Sequence, residues 1–287
     1  MKQQEIRTVC VIGGGLMGRQ IALNTAIHGF TVKLTDSSPE ILVKVVQWKE
    51  EYLSERIAKG KMSEDQVGKI QERFCVVGTL EEATKNVELV IEAIYENKEA
   101  KEEVFKKLDA LVSQDTIIAT NSSYMPSSQF AAVVKNPSRL ANLHYFNPAL
   151  VMKLTEVVQG PHTSDETVAA LMDFSIKTGK DPIHLRKEID GFIANRILRA
   201  VRNEAFYLLE QKIATPREID TAAEKGLGYP MGPFRLQDLT GIDLAYQLAQ
   251  NTFAETGKKP VGYDLIKKKY EAGEWGRKSG RGWYDYS

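Results

Sequence analysis

The chain has 287 residues, of which 43% are hydrophobic and 26% are charged. These values are typical of soluble globular proteins and argue against disordered, fibrous and membrane-embedded classes. Lysine plus arginine and aspartate plus glutamate number 38 each, so no overall charge directs the chain to nucleic acid or to an anionic membrane. The length suits two compact domains.

The two cysteines, Cys10 and Cys75, show no metal-ligand spacing and are too few for a disulfide framework. We therefore expect no metal site and a reducing compartment. The amino terminus carries charges where a secretory signal peptide needs an apolar stretch, and no apolar run reaches the length of a membrane span. The expected location is the cytoplasm.

The first predicted elements form a strand–helix–strand unit. A continuous apolar run over residues 8–12 predicts a buried parallel strand, which ends at three consecutive glycines. A helix is predicted over residues 16–28, followed by a second strand over residues 30–35. A long helical region then extends over residues 39–73, with Gly60 inside it, and is expected to project from the domain.

Short strands alternate with helical segments through the rest of the first domain. Strands are predicted over residues 74–77, 89–94, 116–119, 154–158 and after Leu140, and a helix over residues 98–111. Strands that alternate with helices predict an α/β fold with a doubly wound, mostly parallel sheet.

The pattern changes near Glu188, beyond which almost every segment is predicted to be helical. Apolar residues recur at three-and-four spacing from Ile193 to Leu209. Thr215-Pro216 marks a new helix start, with threonine as the cap and proline at the first position. We therefore predict a first domain of residues 1–187 and a helical second domain of residues 188–287.

A glycine motif of the form G-x-G-x-x-G follows the first strand: Gly13-Gly14-Gly15-Leu16-Met17-Gly18. The pattern is weak by itself, because a glycine turn that binds no ligand is a common alternative. Here the motif follows a predicted strand, opens a predicted helix, and precedes Asp36 at the end of the next strand by about 20 residues. The context predicts a dinucleotide site.

The chemistry of that site explains each residue type. Glycine at positions 13 and 15 permits a tight turn and close approach of the pyrophosphate, and Gly18 lets the helix pack on the strand. The helix amino terminus presents free amides to the diphosphate. The carboxylate of Asp36 would accept hydrogen bonds from the ribose hydroxyls and repel a 2′-phosphate, which favours NAD over NADP. A turn-forming aspartate is the alternative for Asp36.

Several later segments, in order, carry a resemblance to a known family. They are Asn121-Ser122-Ser123, Leu143-His144-Tyr145-Phe146-Asn147-Pro148, Val151-Met152-Lys153-Leu154-Thr155-Glu156, Gly191-Phe192-Ile193-Ala194-Asn195-Arg196, Gly228-Tyr229-Pro230-Met231-Gly232-Pro233-Phe234 and Gly276-Arg277-Lys278-Ser279-Gly280-Arg281-Gly282-Trp283-Tyr284. With the glycine motif, they resemble the short-chain L-3-hydroxyacyl-CoA dehydrogenase family, which includes bacterial 3-hydroxybutyryl-CoA dehydrogenases, over essentially the whole chain.

The resemblance implies a Rossmann-like domain, a helical domain that forms a homodimer, and NAD as the cofactor. It also implies a reaction on an acyl-CoA substrate in fatty acid or butanoate metabolism. L-3-hydroxyacyl-CoA would be oxidised to 3-ketoacyl-CoA, or the reverse, on a short chain such as 3-hydroxybutyryl-CoA.

The resemblance assigns His144 as the general acid/base, Glu156 as its partner, and Ser123 and Asn195 as hydrogen-bond partners of the reacting oxygen. Oxidation of an alcohol independently needs a base whose pKa is near neutral, and histidine is the natural choice. Glu156 would hold the tautomer and stabilise the imidazolium. The alternatives are a core histidine, a glutamate at an exposed strand edge, and ordinary turn or cap roles for Ser123 and Asn195.

The resemblance also implies further contacts to the cofactor and the substrate. The nicotinamide half of the cofactor would be contacted by Glu96, Lys101, Ser123, Asn147 and Lys278. The substrate would contact Ser123 and Asn147, and its CoA nucleotide would contact Ser54 and Lys61, where a lysine cluster supplies local positive charge. Solvated surface charges are the alternative for Lys101 and Lys278.

The chain departs from the family pattern at two places. Ser122 and Tyr124 replace a threonine and a second serine around Ser123, and Ile189-Asp190 replaces Thr-Pro. The second departure resembles relatives that oxidise free hydroxy acids such as L-gulonate. Two other functions therefore stay open: a dehydrogenase of a free 3-hydroxy acid or sugar acid, and a non-catalytic NAD-binding protein.

Overall fold

The computed structural model describes residues 5–286, which divide into two compact units. The first unit ends at Phe192 and the second begins at Ile193. The boundary predicted at residue 187 lies a few residues earlier, and the separate roles predicted for the two domains stay predictions.

In the described part of the first unit, eight strands form one sheet in the order β3-β2-β1-β4-β5-β6-β7-β8. The strands are β1 (Thr8–Ile12), β2 (Thr31–Thr35), β3 (Phe74–Val76), β4 (Leu89–Glu92), β5 (Ile117–Thr120), β6 (Leu140–Tyr145), β7 (Leu154–Val158) and β8 (Asp181–Leu185). Strands β1 to β6 are parallel, β7 is antiparallel to β6, and β8 is parallel to β7. This topology confirms the predicted doubly wound, mostly parallel sheet.

Helices cover both faces of the sheet. They are α1 (Leu16–Ile27), α2 (Pro39–Ala58), α3 (Glu64–Arg73), α4 (Leu80–Ala83), α5 (Lys98–Leu111) and α6 (Asp165–Lys177). Because side chains alternate along a strand, Val9 and Val11 pack in the core with α1, α2, α3 and α6, whereas Cys10 and Ile12 pack in a second core with α4, α5 and a 3₁₀ segment, Ser127–Val133. Burial on both faces explains the continuous apolar run of β1.

The helical region predicted over residues 39–73 is two helices, α2 and α3. Gly60 has a φ of +63°, a left-handed conformation that glycine adopts without steric cost. The helix then restarts at a capping box, in which Ser63 and Gln66 bond reciprocally to each other's backbone amides. The glycine therefore ends one helix, and Ser63 begins the next.

The second unit is built mainly from helices, as predicted. They are α7 (Ala194–Glu210), α8 (Pro216–Thr221), a π-helical turn (Ala222–Gly226), α9 (Pro233–Thr240), α10 (Ile242–Thr256) and α11 (Tyr263–Glu271). The predicted helix start at Thr215 is confirmed by a capping box with Glu218. The core of the second unit contains Phe206, Phe234 and Trp283 in edge-to-face contact.

Within residues 5–286, no helix combines the length and apolar character needed to cross a membrane.

Candidate active site

The carboxyl ends of β1 to β6 lie at one edge of the sheet, and the strand order reverses between β1 and β4. Open α/β sheets bind their ligands in the crevice at such a switch point. Gly13 follows β1 directly, and Ala93 follows β4. The glycine motif therefore lies at the position where a dinucleotide is expected.

The glycines of the motif are required for different reasons. Gly13 has a φ of +104°, and a Cβ there would lie 2.5 Å from the Ala93 carbonyl oxygen. A Cβ on Gly18 would overlap the carbonyl oxygen of Gly13, and one on Gly14 would lie 2.7 Å from a methyl group of Ile41. Around Gly15, by contrast, no described atom lies within 4 Å of an added Cβ.

Gly15 therefore points to a ligand rather than to internal packing. Its φ of −63° suits any residue, and it is the N-cap of α1, whose first turn contains no acidic side chain. A bare backbone at a helix amino terminus is what close approach of a diphosphate needs. The residues present therefore fit a bound dinucleotide.

Asp36 directly follows β2 and is tied to the glycine turn. Its Oδ2 accepts a hydrogen bond from the Gly14 amide at 2.7 Å, and its Oδ1 accepts one from the Ser38 amide at 2.9 Å. Each carboxylate oxygen has two lone pairs, so both keep capacity to accept a ribose hydroxyl. The turn-forming role and the predicted ribose contact are thus compatible.

His144 and Glu156 face each other across the antiparallel strands β6 and β7. The His144 Nδ1 atom lies 2.8 Å from Glu156 Oε2, and both side chains are buried. An ionised carboxylate accepts but does not donate, so this contact assigns the neutral ring's proton to Nδ1 and leaves Nε2 as an acceptor. The alternative of an exposed strand-edge position for Glu156 is wrong.

Ser123 completes a chain of three side chains. Its hydroxyl lies 2.9 Å from His144 Nε2, where it donates to the neutral ring. The rings of Phe146 and Phe192 pack against the imidazole, with centroids at 4.6 and 5.4 Å. The structure therefore brings together three of the residues assigned by resemblance, with two aromatic rings packed against the imidazole.

Glu96 lies behind the loop that carries Ser123. Its carboxylate accepts hydrogen bonds from the Ser122 hydroxyl at 2.8 and 2.9 Å and from the Ser123 amide at 3.1 Å. The Lys101 ammonium lies 3.6 Å from the same carboxylate. Lys101 is 1% exposed, so the alternative of a solvated surface charge is wrong for this lysine.

Sequence reasoning missed Glu92, which is fully buried at the end of β4. Its carboxylate accepts hydrogen bonds from the Lys101 ammonium at 2.6 Å, the Thr120 hydroxyl at 2.6 Å and the Ile94 amide at 2.8 Å. A buried carboxylate is costly unless it is paired and hydrogen-bonded. A glutamate inside an apolar strand was the signal that could have found this ion pair.

The remaining first-unit residues lie on loops and on α2. Asn147 follows β6 and precedes Pro148 through a cis peptide bond. Ser54, on α2, and Lys61, just beyond it, are both exposed. Their contacts with cofactor and substrate stay predictions.

Asn195 and Lys278 belong to the second unit. Asn195 lies in the first turn of α7, and Lys278 forms an ion pair with Asp243 beside the ring of Trp275. The contact of Asn195 with the reacting oxygen and that of Lys278 with the cofactor stay predictions. Across residues 5–286, no group of three or more histidine, cysteine, aspartate or glutamate side chains could hold a metal ion.

The chain matches two family descriptions that together span nearly all of it. Residues 8–189 match the NAD binding domain of 3-hydroxyacyl-CoA dehydrogenase, and residues 191–286 match its C-terminal domain. The chain belongs to the 3-hydroxyacyl-CoA dehydrogenase family. Membership confirms the expected family, enzyme class and NAD cofactor.

Individual members of this family are similar to the chain over nearly its full length. A probable 3-hydroxybutyryl-CoA dehydrogenase of Bacillus subtilis (strain 168) is 38% identical over 98% of each chain. The structure of (S)-3-hydroxybutyryl-CoA dehydrogenase from Ralstonia eutropha has a TM-score of 0.88 at 35% identity, covering 99% of this chain and 100% of that one. A diketoreductase structure described for its catalysis of dicarbonyl compounds has a TM-score of 0.89 at 29% identity, with the same coverage.

Proposed function

We propose that the chain oxidises short-chain L-3-hydroxyacyl-CoA thioesters, such as 3-hydroxybutyryl-CoA, to 3-ketoacyl-CoA with NAD⁺, and catalyses the reverse reduction with NADH. The observation that carries the proposal is the hydrogen-bonded chain Ser123–His144–Glu156 at the ligand-binding edge of the sheet. The relationship to the Bacillus and Ralstonia proteins supports a short acyl chain.

In the proposed mechanism, His144 Nε2 accepts the proton of the substrate's 3-hydroxyl group as the bond between C3 and its hydrogen breaks. Bound NAD⁺ supplies the acceptor for that hydrogen and its electron pair. Glu156 stabilises the resulting imidazolium through Nδ1, and the Ser123 side chain hydrogen-bonds the reacting oxygen, a role that the resemblance also gives to Asn195. In the reducing direction, His144 returns the proton to the 3-keto oxygen.

The proposed cofactor site uses the open backbone at Gly15 and the amino terminus of α1 for the diphosphate, and Asp36 for the ribose. The resemblance assigns the nicotinamide half of the cofactor to Glu96, Lys101, Ser123, Asn147 and Lys278. Glu96 is well placed for this role because it bonds the backbone of Ser123.

The proposed CoA nucleotide site lies at the end of α2, on the exposed Ser54 and Lys61. The neighbouring Arg56 is held against Tyr52, with its guanidinium 4.8 Å from the ring centroid and 2.6 Å from the hydroxyl. Lys59 also lies here, in an ion pair with Glu55. This local cationic surface supports binding of the phosphates of CoA on a chain whose net charge is zero.

The proposal includes a homodimer formed through the second unit, and a cytoplasmic location. Leu244 and Leu248 lie one turn apart on α10 and are 48% and 39% exposed. Apolar patches at the surface mark protein–protein interfaces, which supports dimerisation. Two cysteines outside any disulfide, Cys10 and Cys75, are compatible with a reducing compartment.

A second candidate function is reduction of a free keto acid or dicarbonyl compound, or oxidation of a free hydroxy acid or sugar acid. Ile189-Asp190 and the likeness to the diketoreductase favour it. In that case, Lys61 would be an ordinary surface charge.

The test compares NADH consumption with acetoacetyl-CoA and with free acetoacetate, and NADH formation with L-gulonate. We expect turnover on the thioester. Lys61→Ala is expected to raise KM for acetoacetyl-CoA several-fold without changing kcat, because it removes an interaction present in both ground and transition states. Lys69→Ala is the matched control, since Lys69 is an exposed lysine of α3 paired with Asp65.

Turnover on free acids with no turnover on the thioester would contradict the proposal and favour the second function. NADH binding without turnover on any of these compounds would favour a non-catalytic protein.

A further inference from the structure

Asn142 is a fully buried polar side chain of β6 whose position is set by the sheet. It pairs in register with Thr120, the last residue of β5. Because side chains two residues apart in a strand share a face, Asn142 and His144 point to the same side of the sheet. Asn142 therefore lies beside the loop that leaves β5 and carries Ser123.

Three hydrogen bonds join the Asn142 side chain to that loop. Its Oδ1 accepts from the Ser127 amide at 2.7 Å, and its Nδ2 donates to the carbonyl oxygens of Met125 at 3.0 Å and Ser122 at 3.3 Å. The acceptor thus bonds the end of the loop, and the donors bond its start and middle. One amide spans residues 122–127.

The loop is held from two sides, with Ser123 between them. On one side, Glu96 accepts hydrogen bonds from the Ser123 amide and the Ser122 hydroxyl. On the other side is Asn142. The Ser123 hydroxyl on this loop lies 2.9 Å from Nε2 of His144, which is on strand β6.

We infer that Asn142 is a positioning residue that holds the Ser123 hydroxyl against His144 by bracing residues 122–127 on β6. The inference rests on the proposed function, in which Ser123 and His144 act on the substrate. Asn142 is buried beneath the loop and acts through Ser123.

The chemistry of the side chain explains why an amide stands here. Asparagine offers one acceptor oxygen and two donor hydrogens, which match one amide and two carbonyl groups of the loop. Aspartate would turn a second acceptor toward the two carbonyl oxygens. An apolar side chain of similar size would leave the buried Ser127 amide without this acceptor, which is unfavourable.

The test is a double-mutant cycle of Asn142→Ala and Ser123→Ala, with kcat and KM measured for NADH and acetoacetyl-CoA. We expect Asn142→Ala to lower kcat about tenfold, since misplacement of a reacting group by about 1 Å can cost more than that. The KM for NADH is expected to stay within about twofold, because the glycine turn and Asp36 are untouched. In the Ser123→Ala background, Asn142→Ala should cause no further loss.

Two controls separate positioning from general stability. Asn24→Ala removes another buried asparagine, near the end of α1, which donates to the Thr178 carbonyl oxygen at 3.0 Å; it should lower Tm and leave kcat unchanged. Asn142→Ser, whose hydroxyl is too short to bond both ends of the loop, replaces the alanine variant if that variant does not fold, with the same expectation.

Equal losses of kcat in both backgrounds would overturn the inference, as would a fall in Tm with kcat unchanged. If Ser123→Ala lowers kcat but Asn142→Ala does not, the positioning role fails and the proposed function stands. If Ser123→Ala itself retains full kcat, the proposed role of Ser123 fails, and the inference fails with it.

Discussion

Two side chains hydrogen-bond the imidazole of His144, one from a strand and one from a loop. Glu156 bonds Nδ1 from an adjacent strand, whereas Ser123 bonds Nε2 from a loop. The strand contact is part of a rigid sheet, and the loop contact is where a substrate hydroxyl would enter. The residue therefore combines a fixed orientation with an exchangeable partner, as a general acid/base requires.

We predict that His144→Ala lowers kcat by about a hundredfold to ten-thousandfold, the usual contribution of a general acid/base. NADH affinity should change little, because the proposed cofactor contacts lie on other residues. The check is steady-state kinetics with acetoacetyl-CoA, together with an NADH binding titration. His184→Ala is the matched control, since His184 lies in β8 and bonds the Gln159 side chain. Equal turnover in the two variants would reject the assignment.

The two cysteines should differ sharply in reactivity. Burial raises the pKa of the Cys10 thiol to about 12, whereas Cys75 is exposed. The thiolate is the reactive form, so the buried Cys10 thiol is expected to react far more slowly than the exposed Cys75. A thiol reagent is expected to label one cysteine per folded chain and two per unfolded chain. Cys75→Ser should abolish labelling of the folded protein, and rapid labelling of that variant would contradict the prediction.

Among secondary-structure elements, the hydrophobic pattern of the sequence best predicts those that are completely buried. The run that forms β1 is apolar because both faces of the sheet are covered there, and a glycine-ended helix follows it. Patterning predicts no element between residues 159 and 187, whereas the structure places α6 and β8 there. Strand β8 contains Pro182 and is partly exposed. Proline is tolerated at a sheet edge, where its missing amide costs no ladder bond.

The residues of the candidate site likewise fall into those that the sequence predicted and those that it did not. Motif resemblance reached Ser123, His144 and Glu156, and the structure joins them. Glu92 and Asn142 were missed, because their partners come from other strands and loops through the sheet register. One sequence contains no record of which strands pair or in which register. A glutamate inside an apolar strand therefore signals a buried partner, but the sequence does not identify which residue that partner is.

Substitution by alanine is expected to have different effects at two glycines of the motif that follows β1. Gly18→Ala is expected to lower Tm strongly or prevent folding, because the added methyl group overlaps the Gly13 carbonyl oxygen. Gly15→Ala should fold with nearly unchanged Tm, since its backbone conformation suits alanine and space is open. Its NADH affinity should nevertheless fall, because the methyl group occupies the approach of the diphosphate. Thermal melts and NADH titrations check both.

If the Gly15→Ala protein binds NADH as tightly as the unchanged chain, the proposed contact between the Gly15 backbone and the cofactor is contradicted.

For the whole molecule, zero net charge means that association depends on local surfaces rather than on an overall field. We predict a dimer that Leu248→Glu converts to a monomer, because a buried charge without a partner opposes docking of α10. Light scattering of the purified proteins measures the mass. Ile176→Glu on α6, at a residue that is 61% exposed in the first unit, is the control and should stay dimeric. A monomeric unchanged chain would contradict the proposal.

The proposed proton transfer depends on the register in which β6 pairs with β7. Glu156 meets His144 only in the present register, and a slip of one residue would turn Val157 toward the histidine and the carboxylate into the opposite core. An insertion or deletion of one residue within either strand is therefore expected to abolish activity, whereas length changes in the surface loops leave this register intact.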